Sequence, residues 1–307
     1  MNIYAIIVTY NGKKWYDKCL GSLRASTQAI IPIIIDNAST DGSVDYIRTN
    51  YPEAYIIPNN ENLGFAKANN YGMKYALDNG ADYVFLLNQD AWVEKNTISE
   101  LLRTFRDNAN VGIASPIHLN GSYSGLDCHF PYYAGGEFTS DAYMGHLKHY
   151  YLTEFVNAAA WMISADCIRK VGGFDTSLFK HYGEDDNYAQ RVKYHGFSII
   201  INTQCTICHD REKRVFDTTK FNPDQQEKSE KISKGDITQN FDIRGFIAKK
   251  KKELYKAYIG IHPKKVRRLK RELELLNIIK ISRELNAKGG MVWLNNHTEI
   301  QIYANHK

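Results

Sequence analysis

Acidic side chains at three places give this chain its clearest chemical potential. Asp36 directly follows the apolar run 30–35, and a carboxylate at such a strand end can accept hydrogen bonds from a nucleobase or a ribose. Asp90 follows the run 83–87 and stands two residues after Asn88, where a carboxylate can hold a divalent cation. Glu184, Asp185 and Asp186 form a row at a helix start. Capping and the helix dipole explain one such acid, worth about 0.5–2 kcal/mol. Three adjacent carboxylates repel one another, which capping does not require. Cys205-Thr206-Ile207-Cys208-His209 matches the spacing of covalent haem attachment, but that chemistry follows export. A zinc site would need a second ligand pair, and none is suitably spaced. The plainer reading puts both cysteines in one strand with alternating exposure.

The elements that hold these acids follow from hydrophobic periodicity. Residues 3–8 form a continuous apolar run, as in a strand covered on both faces, and end at the turn Thr9-Tyr10-Asn11-Gly12. Trp15, Cys19, Leu20 and Leu23 recur at helical spacing. Strand patterns at 30–35, 54–57 and 83–87 then alternate with helical patterns up to about residue 50 and over 65–79. This predicts βαβ units and a mainly parallel sheet, in which ligands bind beyond the carboxyl ends of the strands. Residues 121–151, rich in Gly, Tyr and His, read as a long loop or irregular ribbon. Residues 155–164 read as a strand or buried turn, 183–195 as a helix, 197–201 as a strand and 211–240 as polar loop. Residues 243–286 read as two helices broken at Gly260-Ile261-His262-Pro263.

Composition excludes several classes. The chain has 307 residues, 43% hydrophobic and 24% charged, an ordinary globular balance. The net charge of +5 is uneven. Residues 249–271 hold eleven Lys/Arg against the single acid Glu253, a local +10 that leaves −5 for the rest. A uniformly basic nucleic-acid binder is thereby disfavoured. No apolar run approaches the ~18 residues of a membrane span. Residues 1–4 lead into a strand with no basic n-region, and the five cysteines are odd in number, so the expectation is an unexported chain with reduced thiols.

Six segments carry a resemblance to family 2 glycosyltransferases, closest to the rhamnosyltransferase-like branch. They are Val8-Thr9-Tyr10-Asn11, Ile35-Asp36-Asn37-Ala38-Ser39-Thr40-Asp41-Gly42-Ser43, Asn62-Leu63-Gly64-Phe65-Ala66-Lys67-Ala68-Asn69, Leu87-Asn88-Gln89-Asp90, Val171-Gly172-Gly173-Phe174-Asp175 and Tyr182-Gly183-Glu184-Asp185-Asp186. The resemblance spans about residues 3–210 in order. It implies an α/β GT-A fold with a C-terminal helical extension, divided as a transferase domain over 1–210 and a polar linker with basic helices over 211–307. It implies inverting transfer of a sugar from a nucleoside diphosphate to a hydroxyl of a glycan or polyprenyl-linked acceptor, with Mg²⁺ or Mn²⁺.

Residue by residue, the resemblance puts Thr9, Tyr10, Asn11, Asp36, Asn62, Lys67, Asn88 and Asp90 at the nucleotide sugar, Lys67 against the diphosphate. The family's DxD motif falls on Asn88-Gln89-Asp90, with Asn88 in place of the first acid and Asp90 kept as metal ligand. His209 falls where a second metal ligand often stands. Asp185, second of the acidic pair, takes the place of the catalytic base, with Glu184 beside it on the acceptor side and Asp186 a competitor. The family often has an acid where this chain has Asn187. Trp161 and the tyrosines of 121–151 suit a sugar platform, since aromatic faces pack on pyranose rings.

A sugar nucleotidylyltransferase would need a Gly-rich, basic first turn, and Thr9-Tyr10-Asn11-Gly12-Lys13 is not one. A dehydrogenase would need GxGxxG there. A glycan-binding module without catalysis would not need Asp90 and Asp185. Further expectations are a role in cell-surface polysaccharide synthesis, a cytoplasmic protein peripheral on the inner membrane face, and a basic tail that binds anionic lipid or packs in a homodimer.

Overall fold

The computed structural model describes residues 1–179, 182–211 and 223–295. The first half builds four parallel strands in the order β3-β2-β1-β4: β1 is Ile3–Thr9, β2 Ile31–Asp36, β3 Tyr55–Pro58 and β4 Tyr83–Leu87. Helices α1 (Tyr16–Arg24), α2 (Ser43–Asn50) and α3 (Gly64–Asp78) supply the crossovers. The unbroken apolar run of β1 is explained by cover on both faces. Tyr4 and Ile6 pack in one core with α3, while Ile3, Ala5 and Ile7 pack in a second with Tyr16, Cys19, Leu20 and Leu23 of α1. Each such aliphatic side chain gains about 1.5–3 kcal/mol on burial.

The sheet continues through β8 (Ala160–Ser164), antiparallel to β4, then β6 (Val111–Asn120), β9 (Ser198–His209) and β5 (Ala91–Val93). β6 and β9 are parallel, β5 runs antiparallel to β9, and β7 (Tyr150–Leu152) pairs with β9 off this path. Helices α4 (Thr97–Asp107), α5 (Phe130–Met144), α6 (Ala165–Val171) and α7 (Glu184–Tyr194) accompany this half. The result is a mixed α/β sheet of GT-A type, its N-terminal half, β3-β2-β1-β4, wholly parallel.

Several expectations are corrected. The stretch 121–151 contains α5, which buries Phe130, Ala134 and Phe138 at four-residue steps. Its other face is exposed tyrosine and glycine, and Gly135 at φ +84 kinks it, so the apolar period is faint. β9 runs to His209, well past residue 201. Cys205 and Cys208 in it are both buried, because the strand is covered on both sides. All five cysteines are free thiols. The polar stretch 211–240 holds the helix α8 (Pro223–Gly235), while 212–222 lie outside the described residues.

α9 (Ile243–Ile259) and α10 (Pro263–Lys288) form a hairpin broken at 260–262. At its root Ile243, Ile247, Leu273, Leu276 and Ile279 pack on Leu178 and Phe179. No helix among the described residues is long and apolar enough to cross a membrane.

Candidate functional site

The carboxyl ends of β1, β2 and β4 meet in one loop cluster. Thr9 is buried. Its hydroxyl donates to Gln89 Oε1 at 2.6 Å and shares a 2.6 Å bond with the Tyr16 hydroxyl. Tyr10 N donates to the same Gln89 oxygen, so the turn after β1 is pinned to the loop after β4. Gly12 permits this approach, since a Cβ there would lie 2.2 Å from Gln89 Oε1. Asn11, at φ +50, accepts from Thr40 N at its Oδ1 and donates its own N–H to Ser39 Oγ.

Asp36 ends β2, almost wholly buried. Its Oδ2 accepts from Ser39 N at 3.0 Å, while Oδ1 is buried without a partner among the described residues. A buried acceptor of this kind is costly until a ligand N–H or hydroxyl reaches it. Asn62 is engaged in capping, its Oδ1 accepting from Gly64 N at 2.9 Å. Lys67 is half-buried on the first turn of α3.

Asn88, Asp90 and His209 converge. Pairing of Ala91 with His209 in the β5–β9 ladder sets Asp90 beside the imidazole, with Oδ1 3.4 Å from Nε2, and Asn88 Nδ2 lies 3.4 Å from the same nitrogen. The other ring nitrogen, Nδ1, lies 3.3 Å from Oδ2 of Asp127, a carboxylate only 2% exposed. Arg211 Nε is 3.2 Å from Nδ1 and 3.0 Å from Asp127 Oδ2. The Arg211 Nε–H donates to Nδ1, and Arg211 and Asp127 together hold the ring with Nε2 turned toward Asp90. Burial pushes the Asp127 carboxyl up, but bonds from His209 and His129 N and the Arg211 charge outweigh it and bring it down to about 2. Burial pulls His209 down, and Asp127 and Asp90 more than restore it, leaving it raised.

A divalent cation fits this donor set. An oxygen and a nitrogen 3.4 Å apart can both lie about 2.0–2.3 Å from one ion. Among the described residues no group of three or more His, Cys, Asp or Glu forms a closed cage. Two protein donors with open positions suit an ion shared with substrate phosphates.

The acidic row opens α7. Gly183 at φ +98 turns the chain tightly against the Phe179 ring, and Tyr182 before it is also left-handed, at φ +63. Burial, then the Asp185 charge, pushes Glu184 up to about 7 and Asp186 up to about 6. Asp185 is raised mainly by burial, against backbone bonds from Asp186 and Ala158 and the charge of Lys228 on α8. The Ala158 contact locates the row, because the next residue, Ala159, accepts from Asn88 N at 3.0 Å. Two adjacent residues leading into β8 therefore touch both the Asn88–Asp90 loop and Asp185. Burial raises the Tyr133 phenol of α5, and the charges of Arg211, Asp185 and Asp127 also act on it.

Trp161 is a correction. Its side chain is fully buried, Nε1 donates to Val156 O at 3.1 Å, and the ring stacks on Phe174, so it presents no face to a sugar. Asn187, where the family often has an acid, is wholly buried and accepts from Arg191 Nε. Gln89, Asp127, Tyr133 and Arg211 belong to the cluster and escaped the sequence reading. Asp127 lies in the turn-rich segment between β6 and α5, where no periodicity marks it. An open groove of about 650 Å³ runs instead along α5 between Tyr132 and Tyr143, past Gly135 and Gly136.

The chain is similar to known proteins in sequence and in fold. Residues 4–131 match the model of Glycosyl transferase family 2. The chain is 31% identical over 121 residues to the dTDP-rhamnosyl transferase RfbF of Shigella flexneri, covering 39% of each chain. It is 25% identical over 199 residues to the low-salt glycan biosynthesis hexosyltransferase Agl10 of Haloferax volcanii, covering 63% of this chain and 62% of that one. It thus spans about two fifths to three fifths of these relatives' length. Among solved structures, GalNAc-T7 with UDP, GalNAc and Mn²⁺ superposes with TM-score 0.59 at 15% identity, over 69% of this chain and 44% of that one. Residues 1–349 of S. aureus TarS with UDP-GlcNAc superpose with TM-score 0.56 at 16% identity, over 79% and 68%.

Proposed function

Residues 4–131 belong to glycosyl transferase family 2, and from that premise we propose that the protein is an inverting glycosyltransferase. It moves a hexosyl or deoxyhexosyl group from a nucleoside diphosphate to a hydroxyl of a glycan or polyprenyl-linked acceptor, in cell-surface polysaccharide synthesis. The observation that carries the reading is the two-residue bridge Ala158–Ala159, which ties a cation-competent loop to a carboxylate of raised basicity. Inversion needs these two groups on opposite sides of one anomeric carbon.

In this reading Asp36 takes the nucleoside through its unpaired oxygen, and Thr9, Tyr10 and Asn11 line the same turn. Asn62 and Lys67 stand at the start of α3 on the diphosphate side. Asp90 and His209 hold Mg²⁺ or Mn²⁺, and imidazole ligation favours Mn²⁺. Held there, the cation would supply positive charge for the leaving diphosphate. Asp185 accepts the proton of the acceptor hydroxyl as its oxygen bonds to the anomeric carbon, and the bond to the diphosphate oxygen breaks with its electron pair. Glu184 and the exposed Tyr132 and Tyr143 of α5 form the acceptor side. The transferase unit is residues 1–210, with 211–307 as linker and basic extension, working on the inner face of the cell membrane.

The test is release of nucleoside diphosphate from a panel of UDP-, dTDP- and GDP-sugars with Mn²⁺ and lipid-linked acceptors. Release that depends on Asp90 and Asp185 is expected. Binding of these sugars with no turnover in any combination would leave a glycan- or nucleotide-sugar-binding module instead.

A further inference from the structure

We infer that the tip of the α9–α10 hairpin is a docking surface for an anionic lipid bilayer. The two helices use their apolar residues differently along their length. At the root, Leu273, Leu276 and Ile279 are buried against Leu178 and Phe179, and nearer the tip Ala257 and Leu269 are buried. At the tip the pattern reverses. Tyr255, Tyr258, Ile259 and Ile261 are 69%, 51%, 67% and 85% exposed. Ile261 stands at φ +52, a conformation that β-branched residues avoid, and no packing repays it. The fold therefore holds an aliphatic side chain out into solvent at the turn.

The charge around this tip selects its occupant. Residues 249–271 carry the local +10, and Lys256, Lys264, Lys265 and Arg267 are exposed and make no ion pair among the described residues. Lys250 and Arg268 pair with Glu272 lower on the hairpin. A second copy of the chain would bring two +10 tips together and is repelled. Nucleic acid would satisfy the bases but gives no place to bare Ile259 and Ile261. A bilayer with anionic headgroups satisfies both, since phosphates meet the Lys/Arg ring while isoleucine and tyrosine enter the interface. The root of the same hairpin packs on Leu178 and Phe179, just ahead of the acidic row, so docking holds the acceptor side of the molecule near the lipid.

Flotation of the full chain with vesicles of phosphatidylcholine and phosphatidylglycerol (7:3) tests this. Binding is expected at 0.1 M salt, at least tenfold weaker at 0.5 M because the attraction is screened, and at least tenfold weaker to phosphatidylcholine alone. Ile259→Ser/Ile261→Ser and Lys264→Glu/Lys265→Glu should each weaken it about tenfold. These sites are exposed, so an unchanged melting temperature verifies the fold. Equal binding to neutral vesicles, or full binding by both variants, overturns the inference. So does a wild-type chain that ignores anionic vesicles while binding a DNA duplex or dimerising through the tip.

Discussion

The acidic row carries the sharpest expectations at the residue scale. Asp185→Asn keeps size and most hydrogen bonds but removes the side chain's basicity. It should lower kcat by ~10²–10⁴-fold with nucleotide-sugar affinity nearly unchanged, measured by steady-state kinetics and calorimetry. Should Asp186→Asn or Glu184→Gln abolish turnover while Asp185→Asn spares it, the base is misassigned. The coupled row also sets a pH dependence. The base must be ionised, so kcat/KM rises with pH on its acid limb, and Asp186→Asn removes a like charge and should move that limb to lower pH. Glu184 is displaced from 4.5 to about 7. Between those values the folded chain keeps a proton that the unfolded chain has lost, so its contribution to stability falls as pH rises through that window. Glu184→Gln should therefore raise the melting temperature more at pH 8 than at pH 4. Equal gains at both would show that the burial is not what perturbs it. On the metal side, Asp127→Asn should raise the Mn²⁺ concentration for half-maximal activity by ~10–100-fold. It should also shrink the melting shift produced by UDP with Mn²⁺, whereas a purely structural loss would lower Tm and leave the Mn²⁺ dependence alone.

At the scale of elements, α10 is fastened to the α/β body by a buried polar knot. Asp175 accepts from Ser177 N and Oγ, Leu178 N, Ser282 Oγ and Asn286 Nδ2, and Asn286 Oδ1 accepts from Trp293 Nε1. Asn286→Ala leaves Asp175 and Trp293 each short of a partner in the interior. It should cost about 1–3 kcal/mol per group so stranded, read from urea unfolding. A loss below 0.5 kcal/mol would mean the knot is bypassed. This knot also shows what periodicity could convey. β1, β2 and β4 were legible because strands covered on both faces are unbroken apolar runs. The hairpin break was legible because Gly260 and Pro263 punctuate it. α5 was hidden because only Phe130, Ala134 and Phe138 of its residues are buried, and α8 because its composition is polar. Asp36, Asp90 and Asp185 stood out because acids follow strands or open a helix. Asp127 and Gln89 did not, because their roles arise from pairings between strands distant in sequence. Trp161 misled because an aromatic residue looks alike in a core and on a sugar platform.

For the whole molecule, the two halves of the site meet only through the folded sheet, so ligand binding and global stability are linked. β5 and β9 bring Asp90 to His209, and the segment leading into β8 places Ala158 and Ala159 between Asn88 and Asp185. A ligand that binds only the folded chain stabilises it by about 2.7 kcal/mol at a hundred times its Kd. For a chain of 307 residues, unfolding entropy near 2.1 cal/mol/K per residue converts this to a Tm rise of about 4 °C. UDP or dTDP with Mn²⁺ should produce a shift of that order, and a chelator should remove most of it. Asp90→Asn should abolish the Mn²⁺-dependent part and keep the smaller shift due to the nucleoside. Asp36→Asn should reduce the shift with and without metal, because it acts on the nucleoside and not on the diphosphate. If the two variants lose the same component, nucleoside and cation are not held by separate ends of the sheet, and the division of labour between β2 and β4 fails.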